Sequence, residues 1–501
     1  MRLILVAIAA LAVSPATAQA EKIARIARGA LPASLGVPFT AVGQPSSEAW
    51  IAIFDGLTRI DPDGQVQPAL ALSWESITPT TWRFRLRPGV TFHNGAPLTA
   101  DTVISSLDIL RSPGGARFYV APELANVTAM RKVDELTVDI ETEKPEALLP
   151  RKMNMIFIVE PGAWAERGED GFAQQPVGTG PFRLMSWGGA NGAARLEAFA
   201  ESWRRPKIDA IELYTVVEPI RRLQALMSGQ VDIAARMGPE ELGALPFADF
   251  AVIPLNKSQV MSLTFAVEGN PGSPVADQRI REALSLAIDR TGIVRSVLED
   301  KVTPASQGAA PVTNGYDPGL PALDYDPERA RLLVADAGFA DGFDLQIDVY
   351  LGQLPADALI YQQVAQSMRA IGARVELRGI TYAQWLQRYS SADWGGADAF
   401  GYVWDSGGTY DVARPIELTS CKKARPFFCD PSVMPLIDDV AGELDPDTRL
   451  GKLRQLNRTM RDLVPAVWIL NVVDFYAANR RVKDVTVWHM GLLYEALDVV
   501  E

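Results

Sequence analysis

"TWRFRLRPGVTFHNGAPLTADTV" (residues 81–103) changes its period halfway along. Trp82, Phe84 and Leu86 alternate with Arg83, Arg85 and Arg87, the two-residue period of a strand with one apolar face. Pro88-Gly89 and Asn94-Gly95 supply turns, so the first half predicts a hairpin. The strict alternation makes the three arginines the solvated face of a strand rather than a nucleic-acid patch. His93, inside the turn, reads as structural. From Thr99 onward the period lengthens. Thr99 can cap a helix, Asp101 suits its positive first turn, and Val103, Leu107 and Leu110 fall on one helical face.

Helical and strand periods go on alternating downstream. "DQRIREALSLAIDR" places Ile280, Leu284, Ala287 and Ile288 together behind a capping Asp277. "DPERARLLVADAGF" has Asp326 as cap, Pro327 at the first helical position and Gly338 past the end. Ile360, Val364, Met368 and Ile371 make a stripe, Gly372 stops it, and a strand with Val375 and Leu377 follows. Upstream, "EAWIAIFDGL" predicts a helix start whose Trp50, Phe54 and Leu57 are core. Helix-then-strand alternation means α/β architecture. Pro/Gly-rich connectors at 266–277 and 176–182 punctuate the chain, the first of them marking a lobe boundary.

The chain opens "MRLILVAIAALAVSPATAQA": one positive residue, an apolar run of Leu3 to Val13, then small residues at Ala16, Ala18 and Ala20. This predicts a secretory signal peptide over residues 1–20, cleaved after Ala18 or Ala20, because the run is shorter than the roughly 20 residues a membrane span needs. No cysteine stands at the new N-terminus to take a lipid, so the expectation is a free periplasmic protein. The 501 residues allow roughly three domains or lobes at about 150 residues each. A formal net charge of −13 repels phosphate backbones and anionic lipid, which lowers nucleic-acid and membrane-surface roles. In an exported, oxidising setting the two cysteines, Cys421 and Cys429 in "CKKARPFFC", predict a disulfide worth about 2–3 kcal/mol.

Catalytic signatures are sparse. His93 and His489 are the two histidines, so no HExxH or clustered-His zinc site exists, and a Ser-His-Asp triad would have to recruit one of them. Neither GxGxxG nor GxxxxGK[ST] occurs, nor a GxSxG elbow. No cofactor is expected. The enzyme class that survives is a secreted hydrolase running on two carboxylates, such as a glycosidase.

Carboxylates converge on "YVWDSGGTYD" (residues 402–411), which holds Asp405 and Asp411 among three large aromatics. A carboxylate at a strand end beside an aromatic can hold an ammonium through charge-assisted hydrogen bonds, with cation–π attraction from the indole of Trp404. Asp411 reads as a cap or loop residue. Tyr350, at another strand end, and Tyr410 are aromatic candidates for a pocket wall.

The order of segments "IFDGLTRIDPDGQVQPALALSWE", "TWRFRLRPGVTFHNGAPLTADTV", "PVGTGPFRLMSW", "RIREALSLAIDRTGIV" and "YDPERARLLVADAGF" closely resembles the family 5 extracellular solute-binding proteins of ABC importers. The oligopeptide, dipeptide and nickel-type periplasmic receptors belong there, and the resemblance runs from about residue 50 to 490. It implies a periplasmic binding protein-like α/β fold of two lobes joined by a two-crossing hinge. Residues 21–262 plus 468–501 would form lobe I, with about 44–175 an extra subdomain, and 263–467 lobe II. Crossings are expected near 260–267 and 464–473. The resemblance also implies a non-enzymatic monomer that closes over a small peptide-like solute and hands it to ABC permease subunits. Its strand ending in Trp and followed by Asp maps onto Trp404 and Asp405, the aspartate taking the α-ammonium of a peptide. The family's carboxylate-clamping arginine is not carried over, because "DVYLGQLPAD" has Gln353 and Leu354 at that place. A longer peptide, an amide or a non-peptide solute fits that departure, and the scarcity of histidines weakens a nickel-type reading.

Overall fold

The structure, a computed structural model, describes residues 21–41, 46–246, 248–268, 270, 272–352, 354–391, 393–423 and 426–500. The expected signal peptide and Gln353 lie outside the described residues.

Two long antiparallel strands, Phe250–Phe265 and Ala466–Asn479, run side by side through the middle of a ten-stranded sheet. Beyond one half of this pair, residues 259–265 bond Ala399–Asp405, which continues in parallel to Phe343–Val349 and Ala373–Gly379. Beyond the other half, Ala466–Asn479 bonds Ile233–Met237, followed in parallel by Ile23–Arg28 and Ala210–Thr215. A hairpin of Ala193–Ala198 and Phe182–Trp187 closes that edge. Each half is an α/β lobe, and its parallel strands alternate: in Phe343–Val349 and Ala373–Gly379, Phe343, Leu345, Ile347, Ala373 and Val375 are buried while Asp344, Arg374 and Glu376 are exposed. The register of the central pair shifts between Asn256 and Val260, where the chain passes from one half to the other.

A second sheet, in the order Ala71–Thr78, Thr81–Leu86, Thr137–Thr142, Val127–Asp134, makes an antiparallel subdomain. It shares one apolar core with the first lobe: Ile26, Trp50 and Phe54 are continuous with Trp82, Phe84, Phe92 and Leu107. A separate cluster of Leu263, Ile280, Leu284, Ile347 and Val364 fills the other lobe.

Local signals are realised at most of the expected points. Thr99, Asp277 and Asp326 each accept a backbone N–H at a helix start, and Gly338 and Gly372 take positive φ after helix ends. The hairpin expected across residues 81–97 is corrected in part: Asn94-Gly95 does turn the chain, with the Phe92 N–H donating to the Ala96 carbonyl at 2.8 Å, but the strand before Pro88-Gly89 finds other partners. Thr81–Leu86 pairs with Ala71–Thr78 and Thr137–Thr142 instead of with the segment after Pro88-Gly89. That segment is drawn elsewhere: Phe92 is fully buried in the shared core and the His93 N–H donates to the Gly178 carbonyl. His93 itself is structural, with Nε2 3.1 Å from the Gly180 carbonyl, and burial pushes it down to about 4.

Candidate functional site

Ala399–Asp405 delivers the decapeptide to the junction of the lobes, and a short turn, Gly407–Thr409, follows at once. Asp405 is half-buried. Its Oδ1 accepts the Gly407 N–H at 2.7 Å and its Oδ2 accepts Gln259 Nε2 at 3.0 Å. Both donors are neutral, and among the described residues no ion pair reaches this carboxylate.

Asp411 is fully buried. Oδ1 accepts the Ala413 N–H at 3.1 Å, while Oδ2 takes Asn314 Nδ2 at 3.0 Å and Arg449 Nη1 at 2.5 Å. Burial alone would raise its carboxyl, but Arg449 beside it holds it below the ordinary carboxylate range. Such a group has no free proton to give and no room to act as a base, so the pair cannot serve as the two carboxylates of a glycosidase.

Between the two aspartates the turn is gripped by the subdomain of the first lobe. Arg151 Nη1 donates to the carbonyls of Thr409 at 3.0 Å and Gly64 at 2.9 Å, and Asn154 Nδ2 donates to Gly408 at 2.5 Å. Gly64 has φ of +75°, and a Cβ there would meet the Val312 carbonyl at 2.0 Å, so only glycine lets the lobes approach at this point. Two grooves flank the turn. One of about 700 Å³ is lined by Glu123, Lys152, Thr409, Arg414, Glu417 and Lys422. The other, of about 580 Å³, is lined by Arg151, Asn314, Tyr316 and Arg454.

Trp404 takes a different place from the one expected. It is 1% exposed, its indole N–H donates to Thr264 Oγ1 at 2.8 Å, and its ring meets Trp468 edge-on at 5.6 Å. The indole is core and offers Asp405 no face. Tyr410 is likewise buried, against His489 at 4.1 Å between ring centroids, and burial pushes its phenol well up. It touches both lobes rather than open space, since Gly64 packs on its ring and the Asn314 N–H donates to its carbonyl.

Sequence reading missed an aromatic row that starts on the same strand as Asp405. Tyr402 begins a run of rings: Trp385 at 6.2 Å, then Tyr389 at 5.1 Å and Tyr382 at 6.2 Å from Trp385, these three planes within 18° of it. Tyr350 joins at the far end, 5.4 Å from Tyr382. Tyr382, Trp385 and Tyr389 share a face of helix Tyr382–Ser391 by their spacing, which was the available signal. Arg378 and Arg388 both pair with the buried Asp348 and anchor that helix to the sheet. The Cys421–Cys429 disulfide, with Cα atoms 4.7 Å apart, closes a loop that seats Phe427 5.5 Å from Tyr402 and Lys423 Nζ 3.3 Å above the Tyr389 ring. At the crossing strands, Arg236 and Lys257 flank the buried Asp474 at 3.3 and 3.6 Å. Among the described residues, no group of three or more His, Cys, Asp or Glu is placed to hold a metal ion.

Residues 65–424 match the bacterial extracellular solute-binding proteins, family 5 Middle. The di/tripeptide-binding protein 2 of Pseudomonas aeruginosa is 26% identical, over 89% of this chain and 88% of its own. A glutathione-binding protein of Pectobacterium atrosepticum is 27% identical, over 75% of this chain and 72% of its own. Among solved structures, the ABC transporter substrate binding protein CtaP of Listeria monocytogenes superposes with a TM-score of 0.84 at 18% identity, covering 96% of this chain and 100% of that one.

Proposed function

Since the chain belongs to the bacterial extracellular solute-binding proteins of family 5, we propose that it is the periplasmic receptor of an ABC importer. It captures a short peptide or similar cationic solute between its lobes and delivers it, as a monomer, to the membrane permease. The hinge is the register shift of the two central strands, and closure brings the subdomain's Arg151 and Asn154 onto the turn Gly407–Thr409.

Asp405 carries the reading. A half-buried carboxylate held in place by two neutral donors, with no ion pair among the described residues, sits at the junction of the lobes. An ammonium arriving there gains charge-assisted hydrogen bonds in a site partly shielded from water. Di- and tripeptides and glutathione, the ligands in the relatives' names, share such an ammonium, which supports a peptide-like solute.

Mass spectrometry of the protein purified natively and then denatured tests the class of solute, because tight receptors retain their guest. A co-purifying peptide is the expected result. Turnover of a glycoside or ester, with no peptide stabilising the fold in a thermal-shift panel, overturns the receptor reading.

A further inference from the structure

Helix Tyr382–Ser391 carries three large rings at core-like spacing, yet none of its described residues is buried and Tyr382 is 54% exposed. Its aromatic face is therefore not core. It builds a flat row with Tyr402, the planes of Tyr382, Tyr389 and Tyr402 lying within 18° of that of Trp385, while Arg388 ties the helix to the buried Asp348. Phe427, fully packed in the disulfide-closed loop, supports the Tyr402 and Tyr389 end at 5.5 and 5.8 Å. Tyr119 comes to this place from the other lobe. It stands between two short turns of the subdomain, Gly115–Arg117 and Ala121–Leu124, and is 62% exposed. Four positions on, Glu123 reaches Arg414 of helix Ala413–Thr419 at 3.6 Å, which brings the segment against the second lobe. Burial pushes the hydroxyls of Tyr389 and Tyr402 up, and the Tyr119 phenol is near enough to both to add to that push. Among the described residues, however, the ring contacts of Tyr389 and Tyr402 are with Trp385 and Phe427 and not with Tyr119. An exposed ring on one lobe and a flat row on the other thus stand near without touching.

We propose that the gap between Tyr119 and the row receives an aromatic side chain of the solute. A ring inserted there takes apolar faces of both lobes out of water and gains offset or edge contacts on two sides. Two cations stand at the row: Lys423 Nζ lies 3.3 Å above the Tyr389 ring, and Arg414 acts on the Tyr389 and Tyr402 hydroxyls. Positive charge at the rim favours an electron-rich ring over an aliphatic chain. The ligand class is then short peptides bearing phenylalanine, tyrosine or tryptophan. This assignment rests on the reading of the chain as a receptor for a peptide-like solute between the lobes, and it does not depend on Asp405.

The test offers the purified protein three equimolar libraries and reads what is retained by mass spectrometry: di- and tripeptides with one aromatic residue, the same peptides with leucine in its place, and neutral oligosaccharides. The wild type should retain aromatic over leucine peptides by about threefold to tenfold, the range of one added ring pair. Tyr119→Ala, at an exposed position, should fold as the wild type does and retain the two peptide libraries alike. Tyr119→Phe should keep the preference, since the ring rather than the hydroxyl makes the contact, and Trp385→Leu should lose it. Equal retention of both peptide libraries by the wild type, or an undiminished preference in Tyr119→Ala, overturns the assignment while leaving the peptide receptor standing. Retention of oligosaccharides in place of peptides gives the row to pyranose rings and overturns both, as does retention of no library. Should Trp385→Leu not fold, Tyr119→Ala decides.

Discussion

Asp405 and Asp411 lie six positions apart, yet one is surrounded by a cation, an amide and a helix N–H while the other meets only a glutamine and a glycine N–H. Asp411 ties a loop of the second lobe to helix Pro446–Leu463 through Arg449, and its charge is consumed inside the fold. Asp405 is held in orientation without being neutralised. Asp411, with a guanidinium, an amide and a backbone N–H around it, is a structural element, whereas Asp405 has neutral donors alone, which supports the proposed receptor role.

The largest effect should come from the structural carboxylate. Arg449→Ala leaves Asp411 buried and uncompensated, and denaturant unfolding should show a loss of about 3–5 kcal/mol. Asp405→Asn keeps one acceptor for the Gly407 N–H and can donate its new amide to Gln259 once that side-chain amide turns over, so it should change stability by less than about 1 kcal/mol. Similar losses in the two variants would erase the distinction.

Trp404 sharpens it further, because the residue next to Asp405 is core. Trp404→Ala should cost about 3–5 kcal/mol of unfolding free energy. Trp404→Phe, which retains most of the packing, should bind its solute as the wild type does. A tenfold loss of affinity in folded Trp404→Phe would return the indole to the site.

Acid separates the groups by where they titrate. Burial pushes His489 down to about 3 and His93 to about 4, so both are neutral in the folded protein, while the unfolded chain takes up a proton on each near 6.5. Stability is therefore full above pH of about 6.5 and falls toward those lower values by up to about 1.4 kcal/mol per unit for each histidine. Asp411, lowered in the fold, contributes stability that is lost only below about 4, the unfolded carboxylate value. Unfolding midpoints taken between pH 7 and 5 should decline, and His489→Asn should flatten the slope. A flat profile in the wild type would show that these imidazoles are not buried neutral.

The lobes were legible in the sequence because their signals are local. Caps at Thr99, Asp277 and Asp326 and the period of Ile360, Val364 and Met368 each specify an element without reference to the rest of the chain. The pairing of Thr81–Leu86 was not, since Phe92 is pulled into a core assembled from residues far along the chain. The site divides in the same way. Asp405 was legible as a charged strand end, but period and composition read alike for a Trp that faces a cleft and one that faces Trp468. Arg151 and Asn154 reach the turn from more than 250 positions away, and no local spacing encodes that.

Asp405 is the residue we propose to receive the cation of the solute. Isothermal titration of the co-purified solute, or of the retained peptide, against the wild type, Asp405→Asn and Arg449→Lys addresses it directly. Asp405→Asn should bind at least tenfold more weakly, about 1.4 kcal/mol, while remaining as stable as the wild type. Arg449→Lys, which perturbs the structural carboxylate alone, should lose stability and retain affinity once folded. Unchanged affinity in Asp405→Asn would contradict the account and remove Asp405 from the site.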